Sequence, residues 1–294
     1  MPVLAFNSIP TVWKDCLGYS PRFASEQIEK YVGLSDTAFS TPNWVTFISP
    51  QLREALFHEA NHFVDRGLYQ LVVGKALVNE GRLAWGLVSY YYSSFFTAQA
   101  AIRLGGVYFV KVNYDREINP PPTHRLEVVN LLNDQYRIRK AGGGGGEHQR
   151  VWNAFYAEFG NISARPSWAR YEPITAEQDP ERRLVEMHQR HLINYVPGRG
   201  YTELHSPNEA ADLQETLSAD VISDQSGALG DDLLQLEMRA FLRLRFCLQI
   251  LGEIAKQGGA YQTQHLTITN RRRNWLNHFD CPVHLSTHLE GVLA

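Results

Sequence analysis

Apolar residues recur at three- and four-residue steps through Ala84, Leu87, Val88, Tyr91, Phe95, Ala98 and Ile102, the pattern of one buried helical face. Gly105-Gly106 ends that predicted helix. Upstream, Ser49 can accept N-terminal amides and Pro50 suits the first helical position, so another helix is predicted from there. Leu52, Leu56, Phe63 and Val64 keep to its apolar stripe, while Gly67 and Gly74 weaken its far end. Val107 to Val112 reads as a short strand. Asn119-Pro120-Pro121-Pro122 then breaks the chain, and Thr123 caps a predicted helix carrying Leu126, Val129 and Leu132. Gly142 to Gly146 reads as a flexible loop; no Lys-Ser/Thr follows it, so it is not a phosphate-binding P-loop.

Further helices are predicted at Trp152 to Phe159, from Asp179-Pro180 through Leu184, Met187, His188 and His191, and at Asp231 to Gln257, closed by Gly258-Gly259. Leu266 to Thr269 alternates like a brief strand. Residues 206–230 are polar and read as a loop with some helix. Residues 1–48 have turn residues and aromatics but no clean period, an irregular arm with one helix near Ser25 to Val32. Helices dominate, which predicts an all-α class: an N-terminal arm (1–48), a helical bundle (49–205) and a C-terminal helical extension (206–294).

Composition narrows the class further. Hydrophobic residues make up 44% of the 294 and charged residues 20%, enough to build a core. No apolar run reaches the roughly 18–20 residues of a membrane span, and the N-terminus has no basic region followed by a long apolar one, so neither a membrane partner nor secretion is expected. Three cysteines without CxxC spacing (Cys16, Cys247, Cys281) argue against a disulfide framework or a cysteine-built zinc site and fit a cytoplasmic protein. The net charge of −3 gives no global field for nucleic acid, but the cations are 22 Arg against 6 Lys. Arginine forks suit planar recognition of phosphate or carboxylate. Arg271, Arg272 and Arg273 form the one three-residue basic run.

The segment Leu77 to Gly105 resembles the helical hairpin of HEPN domains: Tyr90-Tyr91, Phe95-Phe96 and Ala98-Gln99-Ala100 stand where that family has a tyrosine pair, aromatics and alanines. Arg190-His191-Leu192-Ile193-Asn194-Tyr195 is similar to the family's closing pattern, and the likeness covers roughly residues 50–205. It implies a HEPN-like bundle that acts on RNA or a nucleotide in a defence or toxin–antitoxin setting, as a homodimer or in a complex with a partner protein. RNA-cutting members carry Arg, a polar residue and then His. Histidine can move the 2′-hydroxyl proton, and arginine offsets phosphate charge in the transition state, so no metal is needed. Arg190 has Tyr195 in place of that histidine, so Arg190, Asn194 and Tyr195 are expected to bind RNA or a partner, as are Arg271 and Arg272. The strict signature lies downstream at Arg273-Asn274-Trp275-Leu276-Asn277-His278, which makes Arg273, Asn274 and His278 the expected catalytic residues of an endoribonuclease. A chain of this composition contains that signature by chance roughly 0.04 times.

A second chemistry is written at His58-Glu59-Ala60-Asn61-His62, an HExxH motif. On a helix, His58 and His62 share one face and can hold Zn²⁺ with Glu59 as general base. Glu80, 18 residues beyond His62, is the candidate third ligand. The alternatives to RNA cleavage are therefore a zinc-dependent hydrolase and a non-catalytic helical interaction module.

Overall fold

A computed structural model describes residues 4–32, 44–113, 123–141, 146–175, 191, 193–194, 207–218 and 234–278. In chain order these form α1 (Ile9–Trp13), α2 (Ala24–Val32), β1 (Val45–Ile48), α3 (Pro50–Asn79), α4 (Leu83–Leu104), β2 (Val107–Asn113), β3 (Thr123–Asn130), β4 (Gln135–Lys140), α5 (Glu147–Phe159), α6 (Glu172–Thr175), α7 (Pro207–Ser218), α8 (Leu234–Lys256) and α9 (Ala260–His278). Among the described residues no helix is long and apolar enough to cross a membrane. The chain divides into two compact units, each assembled from separated stretches: Met1–His62, Gln99–Glu158 and Ile250–Thr267 in the first, Phe63–Ala98, Phe159–Gln249 and Ile268–Ala294 in the second.

The first unit holds a four-stranded antiparallel sheet, order β1-β4-β3-β2. This corrects the all-α expectation: the protein is mostly helical, with a sheet. Thr123 begins a strand and not a helix. Leu126 and Val128 are buried with Glu127 between them half-exposed, a period of two. The neighbouring run Gln135–Lys140 alternates likewise, burying Tyr136 and Ile138. The tight turn joining β3 to β4 runs through Leu132, Asn133 and Asp134, at φ of 78°, 50° and 60°. Asn130 steadies it by accepting the Leu132 amide on Oδ1 at 2.9 Å.

The N-terminal arm is more regular than its sequence implies. It supplies the expected helix as α2, and also α1 and the edge strand β1. Trp13 of α1 donates its indole N–H to the Leu104 carbonyl at 2.8 Å and stacks on Phe57, 5.7 Å between ring centroids. Phe57 in turn meets Tyr261 edge-on at 4.7 Å.

Ser49 starts α3 as expected, its Oγ accepting the Leu52 amide at 3.2 Å. In the second unit, Gly67 and Gly74 do not fray the helix; they let α4 come close. Ser93 Oγ donates to the Gly67 carbonyl at 2.8 Å. A Cβ on Gly74 would lie 2.7 Å from the Tyr90 ring, and one on Gly86 would lie 2.6 Å from Val78 Cγ2 and 3.0 Å from the Gly74 carbonyl oxygen. Replacing Gly86 by alanine is expected to lower the thermal midpoint. Overpacking costs about 1–3 kcal/mol, and alanine's better helix propensity offsets only about 1 kcal/mol of it. An unchanged or raised midpoint would show that the two helices are not held this closely.

Elsewhere in this unit, Phe246 of α8 is ringed by Phe159, Trp168 and Tyr171 at 5.1, 5.5 and 5.2 Å. Lys75 and Glu237 form a buried ion pair of 2.9 Å. Tyr90 lies beside it, and burial, then the Glu237 charge, holds its phenol well above the ordinary range. The brief strand expected at Leu266 to Thr269 is absent: those residues lie inside α9, with Ile268 and Thr269 buried and Leu266 exposed.

Candidate functional site

The HExxH residues lie in the first unit, in the opening turns of α3. His58 sets its Nδ1 3.0 Å from the Gly18 carbonyl oxygen, and a carbonyl there can only accept, so the proton sits on Nδ1. Ligand imidazoles are commonly held in this way. The His62 ring stands edge-on to His58 at 4.5 Å, and Tyr19 and Phe23 flank His58 at 5.7 and 6.4 Å. Glu59 does not complete the arrangement. Its Oε2 takes the Arg103 Nε–H at 3.1 Å, and its Oε1 accepts the Ala24 amide at 2.8 Å at the start of α2. A buried carboxylate with both oxygens engaged, one of them by a guanidinium, is a brace between helices and is not poised to take a proton from water.

Glu80 lies past the end of α3, in the second unit, where it pairs with Arg82 at 3.3 Å on the surface. Among the described residues no three His, Cys, Asp or Glu side chains gather into a metal-binding group. Neither described cysteine suits a nucleophile. Burial pushes the Cys16 thiol far up, with Glu54 adding to the effect, and Cys247 is buried with its Sγ 3.1 Å from the Thr97 carbonyl oxygen.

The RNxxxH residues lie in the second unit, in the last turns of α9. Asp65 fixes the rotation of this helix: its Oδ1 takes the Arg272 Nε–H and its Oδ2 an Arg271 Nη2–H, both at 2.7 Å. Arg272 is only 2% exposed and Leu276 1%, so these two mark the inward face. Trp275 leans on Tyr69, 5.9 Å between centroids. At about 100° per residue, Arg273 and His278 stand about 140° apart around the axis. Arg271, Asn274 and His278 stand within about 60° of one another, and all three are exposed. Arg273 is half-buried and hydrogen-bonds Asn270 at 3.3 Å.

No protein-family model matches this chain, nor does any curated protein or solved structure.

The sequence signature and the surface it forms therefore differ by one residue. Asn274 and His278 share one face, and the arginine in phase with them is Arg271, two places before the one the linear motif names. An i, i+3, i+7 search along α9 would have found it. Arg272, expected to bind RNA or a partner, is locked on Asp65 inside the fold. Asn194 is half-buried beside the buried Ile193, whereas Arg190 and Tyr195 lie outside the described residues. Arg103, which ties up Glu59, left no sequence signal.

Proposed function

We propose that this chain is an RNA-interacting, HEPN-like helical protein that cleaves RNA without a metal through the outward stripe of α9. The observation that carries this reading is the helical phase of Arg271, Asn274 and His278. An arginine, an amide and an imidazole share one exposed face, held in that rotation by Arg272 on Asp65.

Each residue has a task that suits its chemistry. His278 takes the proton of a 2′-hydroxyl, the 2′-oxygen bonds to the adjacent phosphorus, and the bond from phosphorus to the 5′-oxygen breaks. Water returns a proton to the leaving oxygen, giving a 2′,3′-cyclic phosphate and a 5′-hydroxyl end. Arg271 steadies the charge on the phosphoryl oxygens, and Asn274 orients the strand through its amide. Arg271 spends one donor on Asp65, but its side chain is 64% exposed. Surface pairs of this kind are weak, so a phosphate can share the guanidinium or recruit it.

The arginines give the test. Cleavage of a labelled RNA is expected to fall at least about tenfold in Arg271→Ala and to stay within about twofold in Arg273→Ala. The reverse ranking would support the linear motif over the surface stripe. Equal loss in both would mean that the stripe does not single out Arg271, no loss in either would remove these arginines from the chemistry, and no cleavage by the wild type would favour a non-catalytic interaction module.

A further inference from the structure

The sheet of the first unit has two unlike sides. Tyr136, Ile138, Leu126 and Val128 are buried on one. On the other, Val129 and Val107 are buried at the β3–β2 half, while Arg137 and Arg139 of β4 project at alternate positions, with Thr46 opposite Arg137 and Glu127 opposite Arg139. Phe109 of β2 is paired with Glu127, so it joins the same side. Trp44, just ahead of β1, lies between strand and solvent, its ring centroid 4.5 Å from Arg137 Cζ and 4.3 Å from Arg139 Cζ. This side is open where β1 and β4 meet: Thr46 and Gln135 are exposed and Ile48 is 61% exposed.

Among the described residues its charge is not balanced. Glu127 serves Arg139, with Oε2 2.8 Å from Nε and 2.7 Å from Nη2. Among the described residues Arg137 has no carboxylate at ion-pair distance, and its Nε is buried without a hydrogen-bond acceptor. Guanidinium planes set against an indole, with the Arg137 charge not met by any described carboxylate, match the two parts of a nucleotide: a flat base and an anionic phosphate. Only single strands offer unstacked bases to such a surface.

We propose that this face binds single-stranded RNA, with bases stacking on Trp44 and its arginines and phosphates held by Arg137 and Arg139. The site lies in a different unit from the α9 stripe and does not depend on it: RNA can bind here whether or not the protein cuts it.

The test uses the full chain and a fluorescent 2′-O-methyl oligouridine, which has no 2′-hydroxyl and cannot be cleaved. Wild type is expected to bind, with affinity falling as salt rises. Trp44→Leu should weaken binding about tenfold or more. Arg137→Gln with Arg139→Gln should do the same and reduce the slope of log K against log salt by about 1.4, at about 0.7 for each phosphate no longer neutralised. Thr46→Glu changes an exposed residue opposite Arg137, so it should spare folding, checked by circular dichroism, and still weaken binding. The proposal is overturned if wild type does not bind the probe, if folded Thr46→Glu binds with unchanged affinity and salt slope, or if duplex RNA or polyglutamate competes as well as the single strand.

Discussion

Replacing Arg103 by methionine is expected to destabilise the protein by about 3–5 kcal/mol, because it leaves a carboxylate buried without its counter-charge. The Arg103 and Glu59 side chains are only 5% and 11% exposed. Arg103 also donates to the Gln99 carbonyl at 3.2 Å, and Glu59 holds the first amide of α2, so the pair ties α2, α3 and α4 together within the first unit. Glu59→Gln should cost less than Arg103→Met, since an amide oxygen can still accept from Ala24. The double variant should recover part of the loss, because removing both partners removes the unpaired charge. Urea unfolding of the four proteins measures this directly. A loss below about 1 kcal/mol in Arg103→Met would mean that Glu59 is not committed to the fold, and the zinc-hydrolase reading would regain its general base.

What could be read from the sequence was local. Ser49-Pro50 marked the start of α3, and the aromatic and alanine spacing marked α4, because caps and helical faces are set by neighbours in the chain. The strand β3 was hidden because Leu126, Val129 and Leu132 fall at helical spacing behind a prolyl break. Its state is decided by partners in β2 and β4, which no local window contains. The same limit hid the tie between Glu59 and Arg103, residues on different helices. The α9 stripe was lost for another reason. Reading Leu266 to Thr269 as a strand broke the helix, and without a continuous helix the phase that joins Arg271 to His278 could not be drawn. Spacing along the chain singled out Asn274 and His278 together with Arg273, whereas the arginine in helical phase with them is Arg271.

The most direct test of the α9 stripe is His278→Ala on RNA in the presence of excess EDTA, with the ends of the products identified. Wild type is expected to cut and to leave 2′,3′-cyclic phosphate ends. The variant should cut about 10²–10⁴-fold more slowly while melting at the same temperature, since His278 is exposed at the end of its helix. Equal cleavage by both proteins, cleavage that EDTA abolishes, or no cleavage by wild type would contradict it.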